Sequence, residues 1–198
     1  MTTHAAPLRR RPYWTRAAAV LQEWIREPAQ VASLVPSAPA LTQRVAKQPG
    51  VSNATKIVDL GPGTGGTTEA LLAAAAENCR VLAIEKAAGF IEPLNEIVDG
   101  RLTVEHADVV GLERILLIHQ MTSPDVIVSG IPFSSLDRRV ATDIIKSVHR
   151  TLPKGGTFIA YQLRSDVARY ASPLFGTPQT EIVWMNVPPL RIFTWTKQ

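Results

Sequence analysis

Residues 56–69 read KIVDLGPGTGGTTE, and this stretch decides how the rest of the chain is interpreted. The apolar residues Ile57, Val58 and Leu60 predict a buried strand. A glycine-rich loop over residues 61–66 follows the strand, and an Ala- and Leu-rich helical pattern follows the loop. Glycine lets the backbone turn sharply and lie against a ligand without a Cβ in the way. This strand–loop–helix order therefore predicts a cofactor beside free backbone N–H groups.

Two glycine spacings fit the loop. Gly61, Gly63 and Gly66 satisfy the dinucleotide pattern G-x-G-x-x-G. Residues 59–65 satisfy D-x-G-x-G-x-G, the first motif of class I S-adenosylmethionine (SAM) methyltransferases. Asp59 would repel a pyrophosphate and suits a cofactor that carries a cationic amino acid, so we expect SAM, with S-adenosylhomocysteine as the product. The cofactor-binding residues expected from the loop are Asp59, Gly61, Pro62, Gly63, Thr64 and Gly65.

Beyond the loop, strand and helix patterns alternate along the chain. The predicted strands are 56–60, 80–84, 101–105, 125–129 and 156–162, and the predicted helices are 66–77, 87–98, 110–119 and 137–150. Such alternation with apolar strands indicates a parallel sheet covered on both faces. Segments 181–187 and 190–195, separated by two prolines, predict a closing antiparallel hairpin whose Trp184 and Trp195 belong to the core. The expected fold is α/β, a Rossmann-like class I methyltransferase with a seven-stranded, mostly parallel sheet.

Residues 1–48 are expected to form a helical extension in front of a methyltransferase domain at 49–198. Apolar residues recur at spacings of three and four over residues 13–27, which predicts an amphipathic helix that ends at Pro28. Four arginines lie at or before the start of this helix, and a second short helix is expected near residues 40–47. The amphipathic helix either lies at the headgroup boundary of a membrane or packs over the cofactor site, and both alternatives remain open.

Composition limits the class of protein and of partner. Of the 198 residues 45% are hydrophobic and 19% are charged, which is typical of a folded globular protein. The net charge of +4 favours a polyanion, either nucleic acid or an anionic lipid surface. The single Cys79 excludes an internal disulfide, and the four histidines share no metal-ligand spacing, so no metal is expected. No apolar run approaches the roughly 20 residues that span a bilayer, so we expect a cytoplasmic protein with membrane contact limited to its surface.

Acidic residues follow two further predicted strands. Glu85 closes the second strand, where an acid accepts hydrogen bonds from ribose hydroxyls in doubly wound folds. Asp108 follows the third strand, where methyltransferases commonly hold the adenine amino group. Either acid could instead cap a neighbouring helix. The fourth strand ends at residues 129–133, beside the place where the methyl group would be presented. The cofactor-binding residues expected from these strand ends are Glu85, Lys86, Ala107, Asp108 and Ser129.

Nearly the whole chain resembles the bacterial phospholipid N-methyltransferases, which methylate phosphatidylethanolamine toward phosphatidylcholine. The segments that carry the resemblance are 35–37, 60–65, 128–132, 152–156 and 183–189. Their Ser-Gly-(apolar)-Pro and Trp-x-Asn-x-Pro-Pro elements are more specific than the glycine loop. Ala38 and Phe133 depart from the family, which often has Ser and Leu there. Because relatives act on other amino lipids such as ornithine lipids, the resemblance implies methylation of an amino lipid and leaves the head group open.

The resemblance implies a reaction in which a neutral amine nitrogen attacks the sulfonium methyl of SAM. The enzyme must align donor and acceptor and let the ammonium lose its proton. The residues expected to position the acceptor are Ser129, Gly130 and the carbonyl of Ile131, with Tyr13 and Tyr161 as further candidates. The expected partners are the amino lipid and an anionic membrane surface, which would place the protein at the inner face of the membrane. The oligomeric state stays open.

Two other functions compete with this interpretation. Residues 129–133 also resemble the Asn-(apolar)-Pro-(aromatic) motif of the rRNA adenine dimethyltransferases, in which Asn holds the adenine N6 amine and the aromatic ring stacks on the flipped base. This chain has Ser-Gly where that Asn should be, and it ends just after the sheet, where those enzymes continue into a helical domain. Both differences argue against RNA. The other alternative is a non-catalytic SAM-fold binding protein, which the intact cofactor motif disfavours.

Overall fold

The computed structural model describes residues 39–185 and 189–198. Seven strands form one sheet: β1 Lys56–Leu60, β2 Arg80–Glu85, β3 Leu102–His106, β4 Val126–Ser129, β5 Thr157–Gln162, β6 Gln179–Val183 and β7 Leu190–Thr196. The α-helices are α1 Pro39–Ala46, α2 Gly66–Ala74, α3 Ile91–Asn95, α4 Leu112–Ile118, α5 Arg138–Thr151 and α6 Asp166–Phe175. The amphipathic helix predicted over residues 13–27 lies outside the described residues.

The strand order confirms the predicted fold. The sheet runs β3-β2-β1-β4-β5-β7-β6, and the pairs among β1 to β5 are all parallel. Strand β7 lies antiparallel to both β5 and β6, so six strands point one way and β7 points the other. The winding direction reverses between β1 and β4. In open α/β sheets a ligand crevice forms at such a switch point, outside the carboxyl ends of the strands.

The central strands are buried on both faces, which explains their nearly continuous apolar sequences. Every residue of β4 and β5 is buried, as are residues 57–60 of β1. Successive side chains of a strand point to opposite faces, so alternate residues pack into two separate hydrophobic cores. One core packs β1 and β5 against α4, α5 and α6, and the other packs the opposite face against α1 and α2.

Helix α1 joins the sheet directly. Its Leu41 and Val45 are fully buried in the second core. The Arg44 guanidinium pairs with the carboxylate of Glu181 on β6. The described end of the predicted N-terminal extension therefore packs against the sheet, while the division of the chain at residue 48 stays a prediction.

Several elements differ from the sequence-based expectations. The helix predicted over 87–98 is a 3-10 turn at Ala88–Phe90 followed by the short α3. Helix α6 was not predicted; its Pro173 has no N–H and so removes one helical hydrogen bond near the end of the helix. Trp195 is buried and stacks on Phe158 at a centroid distance of 5.3 Å, as expected. The expectation that Trp184 is buried is wrong, because β6 ends at Val183 and leaves Trp184 in a turn, 73% exposed.

Candidate functional site

A cavity of about 310 Å³ opens at the carboxyl ends of the parallel strands. This volume is at the lower end of the range for small-molecule sites. Six of the predicted site residues line the cavity: Gly61, Glu85, Lys86, Asp108, Gly130 and Ile131. The others that fall on described residues do not line it: Asp59, Pro62, Gly63, Thr64, Gly65, Ala107, Ser129 and Tyr161. Tyr13 lies outside the described residues.

Sequence reasoning missed the apolar wall of the cavity. Its main side chains are Phe90, Val109, Leu136, Val140 and Ile144. The last three recur at a spacing of four, with Leu136 just before α5 and the other two within it. This spacing is the signal that could have identified them.

The glycine loop adopts backbone angles that favour glycine. Gly61, Gly63 and Gly65 have φ values of +67°, +57° and +84°. A Cβ at Gly65 would also lie 2.7 Å from Ile97 Cδ1, so the Ile97 side chain would have to shift. A residue with a side chain would in addition be strained at the positive φ of Gly65, which is why glycine is favoured at the start of α2.

The N–H groups of these three glycines all donate within the protein. That of Gly61 donates to the carbonyl of Ile84 at 2.9 Å, and that of Gly65 to Pro62 at 3.1 Å. The Gly63 N–H donates to Glu85 Oε2 at 3.0 Å. The expectation of free N–H groups is therefore wrong at these glycines. These three N–H groups are therefore not available to bind a phosphate.

Glu85 is a buried carboxylate in the cavity wall, 6% exposed. Besides Gly63 it accepts the Ala87 N–H at Oε1, 2.8 Å away. Two backbone donors therefore fix the carboxylate in one orientation. A carboxylate accepts about four hydrogen bonds, so this geometry is compatible with ribose hydroxyls as additional donors. Its burial excludes the alternative of an exposed helix cap.

Asp59 lies beneath the glycine loop and is fully buried. Its Oδ2 accepts the Thr68 hydroxyl at 2.8 Å, and its Oδ1 has no hydrogen-bond partner among the described residues. Burial raises the pKa of Asp59 to about 7; the negative charge of Glu85 also raises it, while the Thr68 hydrogen bond lowers it. Two carboxyl groups with one unsatisfied oxygen favour a cation nearby. These residues fit SAM, which carries a sulfonium and an ammonium.

Asp108 combines capping with a position in the cavity wall. Its Oδ1 accepts the Val110 N–H at 3.0 Å, so the predicted alternative of a helix cap is confirmed for a 3-10 turn. Its Oδ2 lies 2.9 Å from Lys86 Nζ. Although partial burial raises the pKa of Asp108, these hydrogen bonds and the positive charge of Lys86 together lower it below its usual value. Ala107 donates its N–H to the Glu85 carbonyl at 3.0 Å, which aligns this loop with β2. A role of Asp108 in binding adenine stays a prediction.

The loop after β4 is held from three sides. The Gly130 N–H donates to the carbonyl of Leu60 at 2.9 Å. The Ile131 N–H donates to Ser129 Oγ at 3.3 Å, and the Ile131 carbonyl accepts the side-chain amide of Gln162. Gln162 is buried at the end of β5 and was not predicted as a site residue. A polar residue that ends an otherwise apolar strand at the crevice is the signal that could have identified it.

Tyr161 lies behind this loop rather than in the cavity. Its hydroxyl accepts the Thr67 hydroxyl at 3.2 Å. Burial and then the charge of Asp59 raise the pKa of Tyr161, so the phenol is neutral at physiological pH. A Cβ at Gly130 would overlap the Tyr161 hydroxyl and lie 2.7 Å from the Gly61 carbonyl oxygen. Tyr161 can therefore act on an acceptor only by holding Gly130 in place.

In the part of the chain that the structure describes, no three His, Cys, Asp or Glu side chains gather in a way that could hold a metal ion. The same residues contain no helix both long and apolar enough to cross a membrane.

Comparison with known sequences relates the chain to two kinds of methyltransferase. The family model described as ribosomal RNA adenine dimethylase matches residues 37–151. The ornithine lipid N-methyltransferase of Singulisphaera acidiphila is 31% identical over 140 residues, which cover 70% of this chain and 73% of that protein. Ribosomal RNA small subunit methyltransferase A of Nitrobacter winogradskyi is 36% identical over 97 residues, 48% of this chain and 32% of that protein. The chain thus matches only about a third of the length of this RNA enzyme.

Solved structures share the fold at low sequence identity. TrmN from Thermus thermophilus superposes with a TM-score of 0.70 and 19% identity, over 87% of this chain and 52% of that one. The N-methyltransferase NodS from Bradyrhizobium japonicum, in complex with S-adenosylhomocysteine, has a TM-score of 0.67 and 12% identity, over 92% of this chain and 98% of that one. At these identities the similarity establishes the Rossmann-like methyltransferase fold.

Proposed function

This chain belongs to the ribosomal RNA adenine dimethylase family of SAM-dependent methyltransferases, and we propose that it transfers methyl groups to the amine head group of a membrane lipid. The acceptor would be an ornithine lipid, or phosphatidylethanolamine on the way to phosphatidylcholine. The observation that carries the proposal is the packing of Tyr161 against Gly130. In the RNA motif quoted above, this position holds the Asn that binds the adenine N6 amine. Here the Tyr161 hydroxyl fills the space that such a side chain needs.

Backbone groups are left to position the acceptor. Ile131 lines the cavity, and its carbonyl accepts the Gln162 side-chain amide. A carbonyl oxygen with a second lone pair can accept an N–H from a simple alkyl amine without any side-chain amide. This chemistry suits a lipid head-group amine better than the N6 edge of an adenine ring.

The comparisons support the same choice. The ornithine lipid N-methyltransferase is matched over 73% of its length, whereas the ribosomal RNA methyltransferase is matched over 32%. The similarity to the lipid enzyme thus includes more of the whole protein, and it agrees with the sequence resemblance described above.

Different residues of the site bind the cofactor and align the acceptor. SAM, when bound, supplies a methyl group made electrophilic by a positively charged sulfur. Glu85 and the acidic group of Asp59 provide the negative potential that holds a cationic cofactor. The segment Ser129–Ile131 aligns the amine for an in-line displacement, and such alignment supplies a large part of the rate. Because only the neutral amine can attack, we expect the rate to rise with pH as the head-group amine loses its proton.

Charge at the cavity rim supports an anionic partner. Arg138 and Arg139 are exposed in the first turn of α5, and Asp137 separates them from Leu136 in the cavity wall. Guanidinium groups bind phosphates well, and a lipid surface presents phosphates beside the amine. We therefore propose an anionic membrane surface as partner and the cytoplasmic face of the membrane as location.

RNA is the second candidate acceptor, because the matching family model is named for rRNA adenine dimethylation. In the RNA motif the aromatic residue stacks on the flipped base. Phe133, which occupies that position here, is 1% exposed and packs on Tyr170 at a centroid distance of 6.4 Å. Because this ring is buried in the core, it is not available to stack on a flipped adenine.

The test is transfer of labelled methyl from SAM to ornithine-lipid vesicles, phosphatidylethanolamine vesicles and undermethylated ribosomal RNA in parallel. We expect label in a lipid, and its chromatographic mobility identifies the head group and the number of methyl groups. A parallel assay to which S-adenosylhomocysteine is added as an inhibitor serves as the control. Label in RNA alone would overturn the proposal, and saturable SAM binding without transfer to any acceptor would support a binding protein instead.

A further inference from the structure

We propose that the described residues on either side of the β6–β7 turn, together with those that follow β5, form a membrane-docking surface that sets the cavity mouth against an anionic lipid bilayer. We call it the hairpin-tip surface; its residues are Leu163, Arg164, Ile182, Trp184, Met185 and Arg191. The proposal rests on the proposed function, because it supplies the contact through which a lipid acceptor is reached.

The hairpin-tip surface exposes large apolar side chains close together. Trp184 is 73% exposed and Met185 is 81% exposed, while Leu163 and Ile182 are each more than a third exposed. Soluble domains bury such side chains or scatter them singly, and a cluster marks an interaction site. Tryptophan in particular is enriched where a bilayer meets water, because its ring is apolar and its N–H is polar.

Strand direction places this surface at the same edge of the sheet as the cavity. Strand β6 is parallel to β5, since both are antiparallel to β7, so Trp184 and Leu163 each follow the carboxyl end of a parallel strand. Arg191 pairs with Gln162 on one side and Ile182 on the other, and its guanidinium donates to the Leu163 carbonyl at 3.2 Å. Strand β7 therefore connects the two halves of the surface to Gln162, which holds the loop after β4 (residues 130–132); we call this loop the acceptor loop.

The charges around the surface complement an anionic bilayer. Arg164 and Arg191 are exposed beside the apolar side chains. Among the described residues Asp166 pairs with Arg164 and Glu181 pairs with Arg44, so Arg191 contributes the positive charge that no acid balances. An interfacial segment with tryptophan at the headgroup level and arginines near the phosphates binds through both apolar burial and electrostatic attraction. Among the candidate occupants, a lipid surface matches both properties.

A second exposed apolar pair provides a matched control. Leu117 and Ile118 are 68% and 63% exposed at the end of α4. Arg80, at the amino end of β2, donates to the carbonyls of His119 and Gln120, so α4 ends at the edge of the sheet opposite the cavity. Docking through this pair would turn the cavity away from the membrane.

The first experiment measures whether Trp184 enters the bilayer. In the full chain carrying Trp14→Phe and Trp24→Phe, only exposed Trp184 and buried Trp195 remain. Vesicles that contain phosphatidylglycerol and brominated acyl chains should quench Trp184 and leave Trp195 emission unchanged. Vesicle binding with both tryptophans unquenched would overturn the proposal.

The second experiment measures partition by co-sedimentation. Trp184→Ser with Met185→Ser should lower the vesicle partition coefficient about tenfold or more, whereas Leu117→Ser with Ile118→Ser should leave it unchanged. Unaltered SAM affinity of both variants establishes that they fold. Equal partition of the two variants would overturn the proposal. So would a concentration-dependent dimer in sedimentation that only the Trp184 and Met185 changes abolish, because the surface would then bind a second copy.

Failure of this inference and failure of the proposed function are distinguishable. Co-sedimentation requires no turnover. Docking through Trp184 without lipid methylation by the wild type would therefore refute the lipid as the methyl acceptor and would still support the docking surface. Conversely, the doubly substituted variant should methylate a dispersed short-chain amino lipid at the wild-type rate and lose activity only on vesicles. If this variant methylates vesicles and partitions to them as the wild type does, the docking surface is refuted and the lipid acceptor is still supported.

Discussion

The Tyr161 hydroxyl occupies the space that a Cβ at Gly130 would need. The parallel pairing of β4 with β5 sets Ser129 opposite Ala160, which brings the next residues of both strands side by side. Because the Thr67 hydroxyl donates to Tyr161, the contact also ties the acceptor loop to the helix after the glycine loop. One buried phenol thus contacts both the acceptor loop and the first turn of the helix that follows the glycine loop.

Gly130→Ala should therefore lower both stability and methyl transfer. We expect a loss of about 1–3 kcal/mol in the free energy of unfolding, as for other overpacked sites. In a Tyr161→Phe background the loss should be smaller, because the overlapping oxygen is gone, although the Gly61 carbonyl remains 2.7 Å from the new Cβ. Urea unfolding of the four proteins in this double-mutant cycle measures the coupling. Additive losses would show that Tyr161 does not constrain Gly130.

The two tyrosines predicted from the sequence can be tested together. Tyr161→Phe keeps the ring and removes the acceptor of the Thr67 hydroxyl, so we expect a lower kcat with little change in the KM for SAM. Tyr13→Phe tests the candidate that lies outside the described residues. Tyr170→Phe is a suitable control, because its partly buried ring packs on Phe133 away from the glycine loop. If both test variants methylate lipid at the wild-type rate, neither hydroxyl positions the acceptor.

Features of the fold and the site could be predicted where short sequence patterns encode them, and not where they depend on contacts between distant residues. The glycine loop, Glu85 and the alternating elements follow from short patterns, and their positions were predicted. The Tyr161–Gly130 contact depends on strand register, which short patterns do not define. Trp184 was misplaced because the apolar run over residues 182–185 continues past the residue where β6 stops pairing, so the pattern placed a turn residue in the core. The part of the site built across strands was therefore the part that sequence could not supply.

Asp59→Asn should stabilise the protein without cofactor and weaken SAM binding. An unfolded aspartate has a pKa of about 3.9, whereas that of Asp59 is about 7. Between those values the folded protein keeps a proton that the unfolded chain has lost, so wild-type stability falls as the pH rises from about 4 to about 7. Asparagine cannot ionise, and it still offers an oxygen to Thr68.

The stability gain of Asp59→Asn should accordingly be on the order of 1–4 kcal/mol at pH 8 and smaller at pH 5, since each pKa unit corresponds to about 1.4 kcal/mol. Denaturant unfolding at both pH values measures the difference, and calorimetry measures the affinity for SAM. Asp143→Asn, in which an aspartate on α5 lines none of the cavity, is the control. A variant that is less stable than the wild type at pH 8 would contradict the buried, unfavourable ionisation of Asp59.

Gln162→Leu should reduce turnover while it leaves SAM affinity unchanged. The substitution keeps a side chain of similar size and removes the donor to the carbonyl of Ile131, a residue of the cavity wall that we propose to align the acceptor. We expect a fall in kcat of about tenfold, the usual consequence of losing one positioning hydrogen bond of about 1.4 kcal/mol. Gln179→Leu, at an exposed position on β6, is the matched control. A change in SAM affinity with kcat preserved would place Gln162 on the cofactor side instead.

Glu85→Gln should weaken SAM binding and have a smaller effect on turnover at saturating SAM. This is the opposite of the effect expected for Gln162→Leu. The Glu85 carboxylate accepts two backbone N–H groups, from Gly63 and Ala87. An amide has only one oxygen, so its NH₂ must face one of these donors, and a buried donor left without an acceptor costs about 1–3 kcal/mol. Calorimetry should therefore show about a tenfold or greater loss of SAM affinity, whereas Glu92→Gln, at an exposed position on α3, should bind SAM as the wild type does. Wild-type affinity of Glu85→Gln would mean that this carboxylate shapes the loop without contributing to cofactor binding.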